Sequence, residues 1–152
     1  MSRKRLEELG VSLPDFPVTS VGSFPKLDSL KKARSDYSQR RISQEKREQE
    51  EETATEPWVR WQDEAGVDVL VDGEMYRGDM VTFFAETMRG FEIGGLVRSY
   101  DNTFYHKPII VSEVEWVQPI TTEWFKYAQS LTKKPVKGML SGPYTVMDWC
   151  FL

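Results

Sequence analysis

The sequence predicts an α/β protein with parallel strands. Four short apolar runs, Pro17–Val21, Val69–Val71, Pro108–Ser112 and Val136–Leu140, are separated by stretches with helical spacing. That alternation is what a parallel sheet with crossover helices requires. Three of the runs also end abruptly in tips that carry glycine: Val21-Gly22-Ser23, Asp72-Gly73-Glu74 and Ser141-Gly142-Pro143. In α/β proteins the interior strand supplies rigidity and the loop beyond its C-terminal end supplies chemistry. The richest tip lies in Asp68-Val-Leu-Val-Asp-Gly-Glu-Met-Tyr-Arg-Gly-Asp-Met-Val81, where Arg77 and Asp79 closely follow Glu74. The bland reading of that tip is a polar loop in which Glu74 caps the next helix.

The elements follow in order. Residues 1–12 form a lead-in with basic residues and no apolar stretch of a secretory signal. The first strand closes on Gly22-Ser23-Phe24-Pro25, where glycine permits close approach of a ligand. A helix starts near Asp28 and runs through Arg34. A second starts at Ser43, a good N-cap, and continues through an acidic run, Glu48 to Glu52, that reads as a solvated face. Pro57 is expected to break or kink it. Trp58, Val59, Trp61 and Ala65 then form an apolar stripe, with Gly66 as the stop. After the second strand a helix spans Val81 to Met88. Gly94-Gly95 reads as a turn, and Leu96 to Tyr100, then Asp101-Asn102, as a hairpin arm. Pro119 to Thr122 opens a helix with Trp124, Phe125, Ala128 and Leu131 facing inward, ended by Lys133-Lys134-Pro135. Tyr144 to Leu152 reads as a loop and the start of another helix.

Composition bounds the function. A net charge of −4, with basic residues mixed among glutamates, gives no reason to expect a nucleic-acid partner. No apolar run is long enough to cross a bilayer, so no membrane role is expected and a cytoplasmic location follows by default. A single cysteine, Cys150, rules out an internal disulfide, and a single histidine, His106, leaves too few ligands at suggestive spacing for a metal site. No phosphate-binding glycine motif follows any strand.

The strand tips and their surroundings resemble the catalytic barrel of cobalamin-independent methionine synthase. The matching text is Thr19-Ser-Val-Gly-Ser-Phe-Pro25, Gly66-Val-Asp-Val-Leu-Val-Asp-Gly-Glu74 with Asp79-Met80-Val81, and Lys107-Pro108-Ile-Ile. It continues in Tyr127-Ala-Gln-Ser-Leu-Thr132, Lys134-Pro-Val-Lys-Gly-Met-Leu-Ser-Gly-Pro143 and Trp149. The resemblance implies a (β/α)8 barrel, with residues 13–152 covering about its first four β/α units. It also implies that Val21, Gly22 and Ser23 hold the amino-acid end of homocysteine, that Glu74 takes its ammonium group, and that Trp149 stacks on a folate methyl donor. Bottom-up chemistry agrees, since a zwitterion needs N–H and hydroxyl donors for its carboxylate and an anion for its ammonium.

Two departures shape the expectation. The family's folate-binding arginine and cysteine fall here on Thr103 and Phe104, after a shorter loop. The wording around Glu74 is closer to short, single-barrel relatives, so the methyl donor is left open between methyl-folate and a methyl-corrinoid protein. The resemblance also puts the zinc ligands, the proton-donating histidine and the acidic residue that completes ammonium binding in the barrel's second half. The chain is therefore expected to hold half of the amino-acid pocket, no catalytic residue and no metal, and to pair with a second-half polypeptide or a second copy of itself. Two alternatives stay open. One is a non-catalytic half-barrel interaction module. The other is an alkyl-thiol transferase of the same fold acting on another thiol, which Glu74 disfavours because a sulfonate thiol has no ammonium.

Overall fold

The computed structural model describes residues 3–99 and 102–152. Tyr100 and Asp101, part of the expected hairpin arm, lie outside them. The elements run α1 (Arg3–Glu8), α2 (Asp28–Ser38), α3 (Gln44–Glu64), α4 (Thr82–Thr87), β1 (Arg89–Arg98), β2 (Phe104–Glu115), α5 (Thr122–Ser130) and α6 (Pro143–Asp148). The chain divides into two compact units, Met1–Tyr76 with Trp124–Met139, and Arg77–Glu123 with Leu140–Leu152.

The first unit is built on three parallel segments. Thr19 bridges Val69, and Leu70 bridges Val136, both in parallel. The middle segment is bonded on both flanks. Asp68 and Val69 N–H groups donate to Val18 O at 2.9 and 3.1 Å, and Leu70 N–H donates to Pro135 O at 3.0 Å. These contacts are isolated bridges rather than regular ladders, so the expected strands at Pro17–Val21 and Val136–Leu140 are present only as extended segments. Leu70 and Val71 are fully buried, as the apolar run predicts.

Helices cover these segments. Val59, Val67, Leu70, Ala128 and Val136 form one buried cluster, with Phe125 of α5 packed against it. Leu30, Ala54 and Met75 form a second, flanked by Phe24 and Trp58. Ser43 caps α3 as expected, its hydroxyl accepting the Lys46 N–H at 3.3 Å. Gly66 closes α3 with a φ of 79°.

Helix α3 departs from expectation in three ways. It runs unbroken through Pro57. Thr53, whose carbonyl loses its helical donor to the proline, is exposed with Pro57, so water can satisfy it. The apolar stripe is also shifted, since Trp61 is 54% exposed and Gln62 is fully buried. Finally, the acidic run is not wholly solvated, because Glu51 is 2% exposed.

The second unit overturns one expected parallel strand. Pro108–Ser112 lies inside β2, which pairs antiparallel with β1 from Arg98↔Phe104 to Arg89↔Glu115. The nearby β1 run gives it a partner at small loop-closure cost. Gly94 and Gly95 do not turn the chain; they sit within β1 at a register shift between Ile93 and Leu96. A Cβ on Gly94 would stand 2.5 Å from Lys107 O, so the glycine admits a bulge. The C-terminus joins this hairpin, with Phe151 N–H donating to Pro108 O and Ile110 N–H to Phe151 O, both at 2.8 Å. Val81, Val146 and Cys150 form the unit's buried cluster, with Phe91, Ile110 and Trp149 against it.

Candidate functional site

The site begins with two residues in left-handed backbone. Gly73 has φ 73° and Glu74 has φ 58°. Glycine tolerates that region and glutamate does so only with support. The support is visible. The Asp72 carboxylate accepts the Glu74 N–H at 2.8 Å, closing a tight turn. Lys26 Nζ donates to Glu74 O at 2.5 Å and to Gly73 O at 3.3 Å. Arg34 Nη2 donates to Met75 O at 2.6 Å. Three consecutive carbonyls of the loop thus accept from cations.

This loop meets the tip of the first segment. Phe24 N–H donates to Gly73 O at 3.1 Å. Gly22 is buried, and a Cβ there would overlap Glu74 Oε1 and stand 3.1 Å from Met139 Cε. The Glu74 carboxylate occupies the space that any side chain at position 22 would need. Lys26 Nζ also reaches Ser23 Oγ at 3.5 Å. Gly22, Ser23 and Glu74 are therefore brought together, with Ser23 exposed and Glu74 7% exposed. Val21 adjoins them and is 85% exposed.

The bland reading of the Glu74 loop is not what the structure shows. The helix-capping role belongs to Asp79, whose Oδ1 accepts the N–H groups of Val81 and Thr82, each at 2.8 Å. Asp72 serves the turn, and the Glu74 carboxylate faces Gly22.

Sequence reading missed four supports. Gln62 ties the two tips from beneath: its Oε1 accepts from Ser20 Oγ at 2.8 Å and Val71 N–H at 3.0 Å, and its Nε2 donates to Val71 O at 2.8 Å. The available signal was a polar residue at a core-facing helical position, three residues after Val59. Lys26 and Arg34 left no comparable signal, since lone cations near a helix start are ordinary.

The fourth is Glu51. Its Oε1 lies 3.5 Å from Arg47 Nε and 4.0 Å from Arg34 Nε. Burial pushes its carboxyl up to about 7, against the pull of Arg47 and Arg34. A carboxyl raised in the fold adds stability that is complete below its ordinary value near 4.5 and is lost as pH rises through about 7. Denaturant unfolding should therefore show the native chain losing up to about 3 kcal/mol between those limits, with Glu51→Gln removing this dependence.

The remaining expected residues belong to the second unit. Trp149 is half-buried after α6, its ring centroid 4.9 Å from that of Tyr105. Phe104 opens β2 and is 57% exposed, and Thr103 O accepts the Ser99 N–H at 2.7 Å. That unit also holds an apolar cavity of about 470 Å³, lined in part by Phe84, Met88, Ile120, Leu140 and Val146. Its lining suits a hydrocarbon surface and not a zwitterion.

Zinc, the metal implied by the resemblance, does not fit the residues seen. Among the described residues no three of His, Cys, Asp and Glu gather. His106 Nδ1 lies 3.0 Å from Gly94 O, and the buried Cys150 thiol donates to Val146 O at 2.9 Å. Burial pushes that thiol up, opposite to what a metal-ready thiolate needs. No helix among the described residues is long and apolar enough to cross a membrane.

The chain is thus an α/β protein that sets a carboxylate against a glycine at the tips of neighbouring parallel segments. The model of the cobalamin-independent synthase catalytic domain matches residues 16–152, and the chain belongs to that family. It is 45% identical, over 152 residues, to a 5-methyltetrahydropteroyltriglutamate–homocysteine methyltransferase of Mesorhizobium japonicum. That match takes in 99% of this chain and only 20% of the relative. Among solved structures it resembles a B12-independent methionine synthase from Shewanella sp. W3-18-1, solved with selenomethionine. The TM-score is 0.72 at 24% identity, covering 89% of this chain and 40% of the other.

Proposed function

We propose that this chain supplies the amino-acid-binding part of a homocysteine S-methyltransferase, and that residues 13–152 form about the first half of a (β/α)8 barrel. The observation that carries the reading is the Glu74 carboxylate set against Gly22, with Ser23 beside it, at the tips of two bonded parallel segments. The name borne by the 45% identical relative supports it.

In this reading the N–H groups and hydroxyl of the Val21-Gly22-Ser23 tip bind the substrate carboxylate. Glu74 binds its ammonium, and together they aim the thiol away from the tips. Holding a nucleophile in one orientation is a large share of what a methyl transfer needs. Trp149 offers an aromatic face for the methyl donor, folate or corrinoid, with Thr103 and Phe104 on the hairpin near its turn. Zinc, which would convert the thiol to thiolate when bound, would take its ligands from residues other than these.

The test is calorimetric titration of the chain with L-homocysteine. Glu74→Gln should weaken binding by about 1.5–3 kcal/mol, the range for a charged hydrogen bond. An unchanged dissociation constant would remove Glu74 from the pocket.

A further inference from the structure

Glu51 is a costly residue that touches none of the pocket residues Val21, Gly22, Ser23 and Glu74. It sits mid-helix at 2% exposure, where an ionised carboxylate costs stability unless it is paired. Its Oε2 is buried with no hydrogen-bond partner among the described residues. The charged groups facing it are Arg47 and Glu48 from α3 itself, Arg34 from α2, and Lys26 from the segment before α2. Arg47 is in turn held over the Tyr37 ring at 4.5 Å.

Two of these cations, Lys26 and Arg34, are the ones that grip the Glu74 loop. Arg34 spans the gap, with Nε toward Glu51 at 4.0 Å and Nη2 on the Met75 carbonyl at 2.6 Å. A guanidinium is planar and rigid, so fixing one edge fixes the direction of the other. Met75 directly follows the left-handed Glu74, whose backbone needs external support.

We propose that Glu51 and Arg34 are positioning residues for Glu74. With the Glu51 carboxylate ionised, the guanidinium is held against the Met75 carbonyl and the loop is fixed; with it protonated, the hold relaxes. The charge in α3 thereby sets how well the pocket is formed, at a cost in stability. The part of this that concerns substrate rests on the homocysteine reading, whereas the part that concerns the loop does not.

The experiment is amide NMR of the whole chain between about pH 6 and about pH 8, with and without L-homocysteine, for the native chain, Glu51→Gln, Arg34→Met and Arg34→Lys. In the native chain the Gly73 to Tyr76 resonances should titrate together, with a midpoint near that of Glu51. In Glu51→Gln they should be flat and match the native low-pH positions. Arg34→Met should shift them at every pH, and Arg34→Lys should restore part of the native pattern. Homocysteine affinity should fall about tenfold from the high to the low end in the native chain, and Glu51→Gln should bind at the weaker level throughout.

Loop resonances that ignore pH, or that titrate unchanged in Glu51→Gln, overturn the proposal whatever homocysteine does. A loop that titrates as stated in a chain that binds no homocysteine upholds the positioning and overturns the substrate reading. A uniform loss of dispersion in a variant signals unfolding, and Arg34→Lys with Glu51→Gln then carries the comparison.

Discussion

Replacing Gly22 with alanine should weaken homocysteine binding by about 10- to 100-fold while leaving the fold intact. The added methyl would overlap Glu74 Oε1 and crowd the Met139 methyl, and neither side is open. Met139 can give way, since it is a flexible side chain. The Glu74 backbone is fixed by Asp72, Lys26 and the Phe24–Gly73 bond, so only its side chain can give way. The carboxylate must swing off its position. Forced rearrangement of this size costs about 1–3 kcal/mol. In a Glu74→Ala background the same substitution should cost almost nothing further, because the clashing group is gone. Calorimetry on the four chains of this cycle measures the coupling. Equal losses in both backgrounds would mean that Gly22 acts through its own backbone.

Gln62→Leu should destabilise the chain by about 2–5 kcal/mol, read from urea unfolding. The size follows from what is stranded. Leucine fits the volume but leaves the Val71 N–H and C=O buried with no replacement donor or acceptor, each worth about 1–3 kcal/mol. Ser20 Oγ also loses its acceptor, and the Trp58 carbonyl loses the side-chain donor that supplements its place in the α3 ladder. Gln62→Glu should be milder below the point where its buried carboxyl ionises, since the acid's C=O can still accept from Val71 N–H and Ser20 Oγ while its O–H donates to Val71 O. A loss below about 1 kcal/mol for leucine would show that water or a shifted segment replaces the amide.

The parts of the fold legible in the sequence were those fixed by local chemistry. Ser43 as cap, Gly66 as stop and the Val69–Val71 core segment each follow from one residue type in one conformation. That Gly22 and Glu74 meet was legible from the glycine-bearing strand tips, whereas the roles proposed for them come from the resemblance. Failures came where tertiary context decides. Pro108–Ser112 reads as a buried parallel strand, but its partner is set by the adjacent β1 run. Gly94-Gly95 has the composition of a turn and serves a bulge. Glu51 is chemically identical to its acidic neighbours, and only the helix face turned inward separates it from them. Gln62 was the one missed support that carried a signal, a polar group where periodicity demands an apolar one.

The most direct test of the pocket is amide chemical-shift mapping with two ligands, L-homocysteine and 4-mercaptobutyrate, which keeps the thiol and carboxylate but lacks the ammonium. The expected result is that homocysteine moves the resonances of Val21 to Ser23 and Gly73 to Met75 at concentrations where 4-mercaptobutyrate moves none. Equal shifts with both ligands, or homocysteine shifts confined to other residues, would contradict an amino-acid site built on Gly22, Ser23 and Glu74.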